Sequence, residues 1–214
     1  MTQFSTQHGS LLVNDLVCVI RQNRDYLSEI DGAIGDGDHG INMAKGFTQC
    51  GEKLSPQQSL AQAFDTLSDA LMEGIGGSMG PLYGSLFMGM ADSIRDKSTL
   101  SAPAFAAMLR AGLSELQDIS EAGVGDKCLM DTLIPAVEAA EATAANGYPA
   151  MLAALKQAAA NGRDSTKDLV AKIGRASRLG ERSRGVLDAG AVSCCLLLTQ
   201  MADCVERALS PETA

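Results

Sequence analysis

The chain has 214 residues, of which 46% are hydrophobic and only 4% aromatic, with no tryptophan. This length suits one domain with a substantial core, and an apolar content dominated by Ala, Leu and Met favours packed helices over sheets. The formal charge of −9 argues against nucleic acid and against an anionic membrane surface as partners.

The six cysteines form no CxxC pair, and most of them lie within helical apolar patterns. Such cysteines are typical of buried, reduced thiols in an intracellular protein. The N-terminus lacks a basic region followed by an apolar core, and the longest apolar stretch, near 191–198, is too short to span a bilayer. We therefore expect a soluble, cytoplasmic protein without a membrane partner.

Apolar residues recur at helical spacing along the whole chain, and turn signals separate the segments. The pattern predicts eight helices, at about 9–26, from about 40, and at about 56–73, 81–96, 103–121, 131–145, 149–173 and 188–209. Prolines 56, 81, 103 and 149 stand where a first helical turn tolerates proline. Mostly short connections predict one all-α domain over residues 1–214, an antiparallel eight-helix bundle.

The connection after the first helix carries the densest cluster of reactive side chains. Its run DGAIGDGDHGIN, residues 31–42, places Asp31, Asp36 and Asp38 beside His39 and Asn42 among four glycines. One loop can point all three carboxylates at one small volume, where a divalent cation removes their mutual repulsion. Ligation by oxygen alone suits Mg²⁺ or Ca²⁺, so the three aspartates are predicted metal ligands.

Three other interpretations of this loop are weaker. Residues 35–40 match G-x-G-x-x-G, but the dinucleotide fingerprint needs a preceding apolar strand and neutral amides, and this loop is acidic. An EF-hand beginning at Asp36 would have Phe47 at its twelfth position, where a bidentate glutamate is required. A solvated Asp-Gly turn is the plain structural alternative. The third aspartate, together with His39 and Asn42, favours a functional site over that turn.

A second glycine-dense segment, GIGGSMGP at 74–81, runs directly into a predicted helix. Free amides at a helix N-terminus, reinforced by the helix dipole, bind phosphate without a basic side chain. The segment lacks the Lys-Ser/Thr of a P-loop, and taken alone it is more typical of a tight turn between helices. The weaker glycine turn at 123–127 is predicted to cap the helix that follows it.

Later in the chain, residues 172–184 form a local positive island in an acidic protein. The cations Lys172, Arg175, Arg178, Arg182 and Arg184 stand there against one acid, Glu181. The segment is glycine-containing and predicted to be non-helical. It is a solvated loop, an edge that contacts an acidic partner, or a lid whose arginines reach a phosphate.

Four stretches of the chain, taken together and in this order, carry a specific resemblance. They are IGDGDHGINMAKGF, GGSMGPLYGSLF, GDKCLMDTLIPAVE and GRASRLGERSRGVLDAGAVS. The set resembles the DhaL family, the nucleotide-binding subunits of dihydroxyacetone kinases. The resemblance implies a closed barrel of eight antiparallel helices, with ADP or ATP and two Mg²⁺ ions at one end.

The resemblance also implies roles for individual residues. Asp31, Asp36 and Asp38 match the aspartates that hold both metals, which bridge the nucleotide phosphates. Nucleotide contacts are implied at two helix starts, in the basic lid and in the turn after it: His39, Gly40, Ile41, Asn42, Gly76, Gly77, Ser78, Met79, Arg175, Asp188, Ala189 and Gly190. Two positions depart from the family pattern, because Met79 replaces a usual small hydroxyl residue and Ala189 a frequent proline.

The function implied by the resemblance is phosphoryl transfer by a subunit that does not itself bind the sugar. A separate DhaK-like subunit would hold dihydroxyacetone or a related short ketose. The donor would be free ATP or, through bound ADP, a phosphohistidine protein of the phosphotransferase system. From the residues alone, a non-enzymatic metal-binding helical protein and a metal-dependent phosphohydrolase stay open. The hydrolase is weakened because His39 is the one evident base for activating water.

Overall fold

The computed structural model describes residues 2–7 and 9–210 of the chain. Within these ranges it contains nine α-helices: α1 Gly9–Gln22, α2 Arg24–Ile34, α3 His39–Lys53, α4 Leu60–Gly74, α5 Met79–Ile94, α6 Ala102–Ile119, α7 Met130–Thr143, α8 Tyr148–Ser165 and α9 Ala189–Leu209. Short 3-10 helices cover Ala144–Asn146, Thr166–Asp168 and Arg175–Ser183. Strands β1 Phe4–Ser5 and β2 Thr99–Leu100 form one small antiparallel pair. The predicted all-α class is confirmed.

The described ranges hold nine helices where eight were predicted, because the predicted first helix is two helices. The chain breaks at Asn23, whose side-chain amide donates to the Val19 carbonyl at 2.8 Å and so terminates α1. The following helix α2 buries Leu27, Ile30 and Ile34. It continues past the predicted boundary, so Asp31 lies within a helix rather than in the loop.

Two other predicted boundaries also move. Helix α4 begins at Leu60, behind a capping box formed by Ser59 and Gln62, so Pro56 lies outside its first turn. The predicted helix at 149–173 ends as α8 at Ser165 and is followed by the short 3-10 helix. Pro103 and Pro149 do occupy the first turns of α6 and α8.

The helices form a closed ring around one apolar core. Helix α4 packs on α5, α5 on α6, α6 on α7, α7 on α8 and α8 on α9, while α1 joins α9 back to α3 and α4. Within the described chain, α9 is the one helix long and apolar enough to cross a membrane, and 72% of that apolar window is buried inside the fold. Such burial is typical of a core helix.

The direction of the helices positions the site. Because α2 and α3, α4 and α5, α6 and α7, and α8 and α9 run as successive pairs, their connections all meet at one end of the ring. Backbone groups at helix termini have no partner within the helix, so this end concentrates unpaired amides and loop side chains.

Candidate nucleotide and metal site

A cavity of about 680 Å³ opens where these four connections meet. Most of the predicted site residues line it: Asp31, Asp36, Asp38, His39, Asn42, Gly76, Gly77, Ser78, Met79, Arg175, Asp188, Ala189 and Gly190. The structure places Gly40 and Ile41 outside this lining. A Cβ on Gly40 would lie 1.9 Å from the Arg24 carbonyl oxygen, so that glycine serves the contact between α2 and α3. Ile41 is 49% exposed.

The three aspartates form one cluster at the mouth of the cavity. Their carboxylates offer oxygens that all lie within 4.8 Å of one another. The chain reverses between Asp36 and Asp38 at Gly37, whose φ of +78° favours glycine. Asp31 accepts a hydrogen bond from the His39 amide at 3.2 Å and thereby caps α3. The carboxylate of Asp38 makes no capping bond of its own, although Asp38 occupies the N-cap position.

The donor set and its dimensions fit a hard divalent cation. Magnesium binds oxygen at about 2.1 Å, so two oxygens on one ion are separated by at most about 4.2 Å. Carboxylate oxygens up to 4.8 Å apart can therefore bind one Mg²⁺ ion after a small shift, or two ions that share a carboxylate.

The second side of the cavity is the start of α5. A Cβ on Gly76 or Gly77 would meet nothing within 4 Å, so the backbone there is open to a ligand. Gly77 has a φ of +76°, which explains why glycine occupies this position. Gly76 has neither a positive φ nor a close neighbour. In the described structure, the amides of residues 76–79 donate to no protein acceptor. Free amides at a helix N-terminus can bind an anion, and these line the same cavity as the acidic cluster.

The start of α9 also lines the cavity. Asp188 caps this helix through a 2.7 Å hydrogen bond from the Ala191 amide. Burial raises the pKa of the Asp188 carboxyl from 3.8 to about 7, and the Ala191 hydrogen bond and the charge of Lys127 oppose that rise. Ala189 occupies the first helical position of α9, where proline and alanine both fit. The departure from proline therefore leaves this turn intact.

The basic segment was predicted to be non-helical, but it forms a 3-10 helix over Arg175–Ser183, kinked at Gly180. This helix is called the lid below. At the C-terminal end of the lid, the Ser183 hydroxyl accepts a hydrogen bond from the Ala171 amide at 2.9 Å. At its other end, Arg175 pairs with Asp36 of the acidic cluster. The lid therefore already lies against the carboxylates, with a guanidinium at the cavity.

Lys127 and Asp131 support the lid and the cavity wall, and the sequence analysis missed them. Lys127 is 2% exposed, and its ammonium donates to the carbonyls of Thr166 at 2.6 Å, Leu169 at 3.2 Å and Val186 at 2.5 Å. Those carbonyls lie on both sides of the lid. A lysine in a glycine turn gives no signal of such burial. Asp131 lies at the start of α7, where a capping acid is expected.

Asp131 is 1% exposed and orders the turn that precedes α7. Its two carboxylate oxygens accept hydrogen bonds from the Gly125 amide at 2.6 Å and the Cys128 amide at 2.8 Å. Lys127 lies inside this turn with a φ of +63°, a backbone conformation that is uncommon outside glycine.

Tyr83 and Ser193 were also missed, because both lie within apolar helical stretches and resemble core residues. The Ser193 hydroxyl lies 2.9 Å from His39 Nε2 and 2.7 Å from the Tyr83 hydroxyl. Burial lowers the pKa of His39 from 6.5 to about 4, and the nearby charge of Asp31 only partly offsets this. His39 is therefore a neutral imidazole at physiological pH.

Comparison with known proteins agrees with this geometry. The DAK2 domain model matches residues 33–203. The ADP-binding subunit DhaL of the PEP-dependent dihydroxyacetone kinase 2 of Listeria innocua is 35% identical over 203 residues, covering 92% of this chain and 94% of the relative. The corresponding DhaL subunit of Escherichia coli is 32% identical, over 83% of this chain and 87% of its own.

Longer kinases match over part of their length, and so do solved structures. The D-erythrulose kinase of Mycolicibacterium smegmatis is 33% identical over 85% of this chain, which spans 32% of that enzyme. The crystal structure of the C. freundii dihydroxyacetone kinase with AMP-PNP and Mg²⁺ has a TM-score of 0.71 at 22% identity, over 91% of this chain and 33% of that one. This likeness shows a shared fold. The chain belongs to the DAK2 domain family, and within it to the DhaL subunits of dihydroxyacetone kinases.

Proposed function

We propose that this chain is the nucleotide-binding subunit of a dihydroxyacetone kinase, a phosphotransferase with an alcohol group as acceptor. It holds ADP or ATP with two Mg²⁺ ions, and it passes a phosphoryl group to a short ketose on a separate DhaK-like subunit. The observation that carries the proposal is one cavity that joins the carboxylates of Asp31, Asp36 and Asp38 to the free amides at the start of α5.

The chain's own groups divide the work of binding. The three aspartates hold the metal ions, which when bound neutralise phosphate charge and stabilise the charge that develops during transfer. The amides of Gly76, Gly77 and Ser78 supply fixed dipoles to phosphate oxygens. Arg175 adds a guanidinium from the lid, the group best suited to a phosphate. No side chain of this subunit is assigned as a catalytic acid or base.

For the phosphoryl donor we infer a phosphohistidine protein of the phosphotransferase system that recharges bound ADP. Four relatives that match over 87–94% of their own length are described as PEP- or PTS-dependent. Relatives described as erythrulose kinases or triokinase are about three times longer than the matched region. The erythrulose kinases among these relatives support a short-chain ketose as the acceptor of the phosphoryl group. A cytoplasmic location completes the proposal, supported by six cysteines that form no disulfide.

The phosphohydrolase alternative is disfavoured by the state of His39. A general base works best when its pKa lies near the working pH. Burial lowers the pKa of His39 to about 4, and its Nε2 is engaged with Ser193. The amides at the start of α5 in turn favour a nucleotide over a bare metal ion.

Two measurements on protein purified without added nucleotide test the proposal. Native mass spectrometry is expected to show retained ADP, as required if the nucleotide stays bound between turnovers. After removal of the nucleotide, calorimetry is expected to show ADP binding in Mg²⁺ and at least a hundredfold weaker binding in EDTA, since the acidic cluster alone repels phosphate. Equal affinity in both buffers would remove the three aspartates from the nucleotide site.

A further inference from the structure

The lid belongs to a longer connection between α8 and α9, residues 167–187, which we call the lid loop. Hydrogen bonds close this loop on itself. The Gly185 amide donates to the Lys167 carbonyl at 2.7 Å, and the Ala171 amide donates to the Ser183 hydroxyl at 2.9 Å. Both bonds join the chain that enters the loop to the chain that leaves it. They make the loop one unit, but they do not attach it to the bundle.

In the described part of the chain, and beyond the adjoining turns of α8 and α9, hydrogen bonds and ion pairs attach the lid loop at three places. At its tip, Arg175 pairs with Asp36. On its entering side, the Lys172 amide donates to the Asp126 carbonyl at 3.1 Å, and the two side chains form an ion pair. The basic side chains of both ion pairs are more than 60% exposed, so these pairs stabilise little. The third attachment is Lys127.

The Lys127 ammonium contacts both ends of the lid loop. It donates to the Leu169 carbonyl where the chain enters the loop, to the Val186 carbonyl where the chain leaves it, and to the Thr166 carbonyl just before the loop. Three carbonyls match the three hydrogens of an ammonium group. Because the side chain is buried, water does not compete for these bonds. One atom therefore holds both ends of the loop.

The position of Lys127 is in turn determined by the bundle. Its turn is ordered by the Asp131 carboxylate of α7, which accepts hydrogen bonds from the amides of Gly125 and Cys128 on either side of it. Lys127 also lines the cavity, as Arg175 of the lid does. The base of the lid loop is thus fixed relative to the cavity by a buried contact, whereas its tip is fixed by an exposed one.

We propose that Lys127 is a positioning residue that fixes the base of the lid loop and thereby slows the release of nucleotide from the cavity. With the ammonium in place, the lid moves away only by bending between two fixed ends. Without it, the self-closed loop can swing away as one unit. The attachment of the loop follows from the protein's own contacts, and the nucleotide as the retained ligand rests on the proposed function. Slow release is what an ADP molecule that stays bound between turnovers requires.

Stopped-flow fluorescence measures release directly. Protein loaded with Mg²⁺ and ADP carrying an N-methylanthraniloyl group is mixed with excess unlabelled Mg²⁺–ADP. We expect Lys127→Met to release the labelled nucleotide at least about tenfold faster than wild type, since a lost contact acts mainly on dissociation. Association should not slow, because the aspartates and the amides of α5 are unchanged. Damage to the binding site itself would slow association.

Hydrogen exchange of the nucleotide-free protein measures the attachment of the loop without any ligand. In Lys127→Met, the amides of residues 167–187 should exchange at least about tenfold faster than in wild type, because the loop opens locally once its ends are free. The amides of α4, which does not contact the loop, should exchange much as before.

Two further variants separate this role from general stability. Lys127→Gly removes the same ammonium but suits the φ of +63° at residue 127, so it serves if Lys127→Met does not fold. It should match Lys127→Met in both measurements. Leu60→Ala is the control, because Leu60 is fully buried and begins α4 at the end away from the cavity. It should lower stability and leave both release and lid-loop exchange at the wild-type rates.

Wild-type release from folded Lys127→Met and Lys127→Gly overturns the inference, and so does equal acceleration in Leu60→Ala. In either case, tight Mg²⁺–ADP binding by the wild type leaves the proposed function standing. A wild type that binds no Mg²⁺–ADP removes the proposed function and the nucleotide with it. Exchange of the lid loop then decides whether Lys127 fixes the loop: faster exchange in the two Lys127 variants supports that role, and unchanged exchange refutes it.

Discussion

Asp31, Asp36 and Asp38 crowd three carboxylates into one cluster whose oxygens lie within 4.8 Å of one another. Crowding of like charges costs free energy in the metal-free protein. The ion pair between Asp36 and Arg175 offsets little of this cost, because the arginine side chain is 63% exposed. A bound divalent cation would remove this cost, as the proposed metal site requires.

Asp36→Asn and Asp38→Asn are accordingly expected to abolish the response to ligand while keeping the fold. Each change removes one negative ligand at almost constant size, so the metal-free variants should melt at or above the wild-type temperature. In thermal-shift measurements at about a hundred times the dissociation constant, Mg²⁺–ADP should raise wild-type melting by roughly 5–10 °C. The two variants should lose that shift, and they should lose phosphoryl transfer.

Glu52→Gln is the control for this prediction, because Glu52 is an exposed acid on α3, away from the cavity lining. It makes the same change of charge and should retain the full shift. A full Mg²⁺–ADP shift in Asp36→Asn would place the metal site elsewhere.

Lys127 shows the opposite use of charge, in which one buried cation supports the structure. Lys127→Met leaves the carbonyls of Thr166, Leu169 and Val186 without their donor, while the positive φ at residue 127 remains. We expect a loss of about 3 kcal/mol in the free energy of unfolding, measured by urea denaturation. Lys45→Met, at an exposed position of α3, should change it by less than about 0.5 kcal/mol. Equal stabilities would show that water replaces the ammonium without cost.

At the scale of elements, the site is formed largely by helix N-termini. The N-termini of α3, α5 and α9 all reach the cavity, and two of them are capped by carboxylates, Asp31 at α3 and Asp188 at α9. The start of α5 has no side-chain cap in the described structure. An anion is therefore the natural partner for the amides of α5.

Gly76→Ala is expected to separate binding from stability at this terminus. A Cβ there meets no protein atom within 4 Å and the backbone needs no positive φ, so the melting temperature should equal that of the wild type or exceed it by up to about 4 °C. The same methyl group projects from the open backbone at the cavity. Calorimetry should therefore show Mg²⁺–ADP binding weakened by roughly tenfold.

Gly123→Ala is the matched control for Gly76→Ala. Gly123 is also open and of ordinary φ, with its nearest neighbour 4.0 Å from the added Cβ, but it does not line the cavity. It should have the same small effect on stability and should leave Mg²⁺–ADP affinity unchanged. Unchanged affinity in both variants would argue that the ligand does not approach the backbone at Gly76.

At the scale of the whole molecule, the ring of helices places a large cavity at one end, and this cavity is the proposed site for nucleotide and metal. Besides apolar side chains and Lys127, the cavity lining includes carboxylates, free amides, one histidine and the arginine of the lid. The chain spans 94% of a DhaL subunit but 32–33% of the longer ketose kinases. The proposed function accordingly assigns binding of the ketose to a separate DhaK-like subunit.

The isolated chain is thus expected not to phosphorylate dihydroxyacetone at a useful rate, with either ATP or a phosphotransferase donor. A coupled assay for dihydroxyacetone phosphate measures this directly. Adding a ketose-binding subunit and the donor should restore turnover by at least a hundredfold. Robust turnover by the purified chain alone would refute its role as a subunit.

Local patterns in the sequence predicted a large part of this architecture. Leu12, Leu16 and Ile20 recur at helical spacing, and all three are buried on one face of α1. The three aspartates stand within eight residues, so a short segment brings them together whatever packs around it. The glycine-dense start of α5 is equally local. Such signals depend on periodicity and turn chemistry over a few residues, and both can be read directly from the chain.

Only the tertiary structure decided which distant groups meet. Apolar residues keep a helical spacing on both sides of Asn23, so the sequence does not indicate a break there. The break is evident only in the structure, where α2 turns its own apolar face to the core. The burial of Lys127 requires carbonyls from up to 59 residues away, and the contact of His39 with Ser193 joins residues 154 apart. The sequence determined the helices and the acidic cluster because those follow from neighbours along the chain. The burial of Lys127 and the contact of His39 with Ser193 follow from which helix faces pack together, and this depends on the summed burial of the whole core.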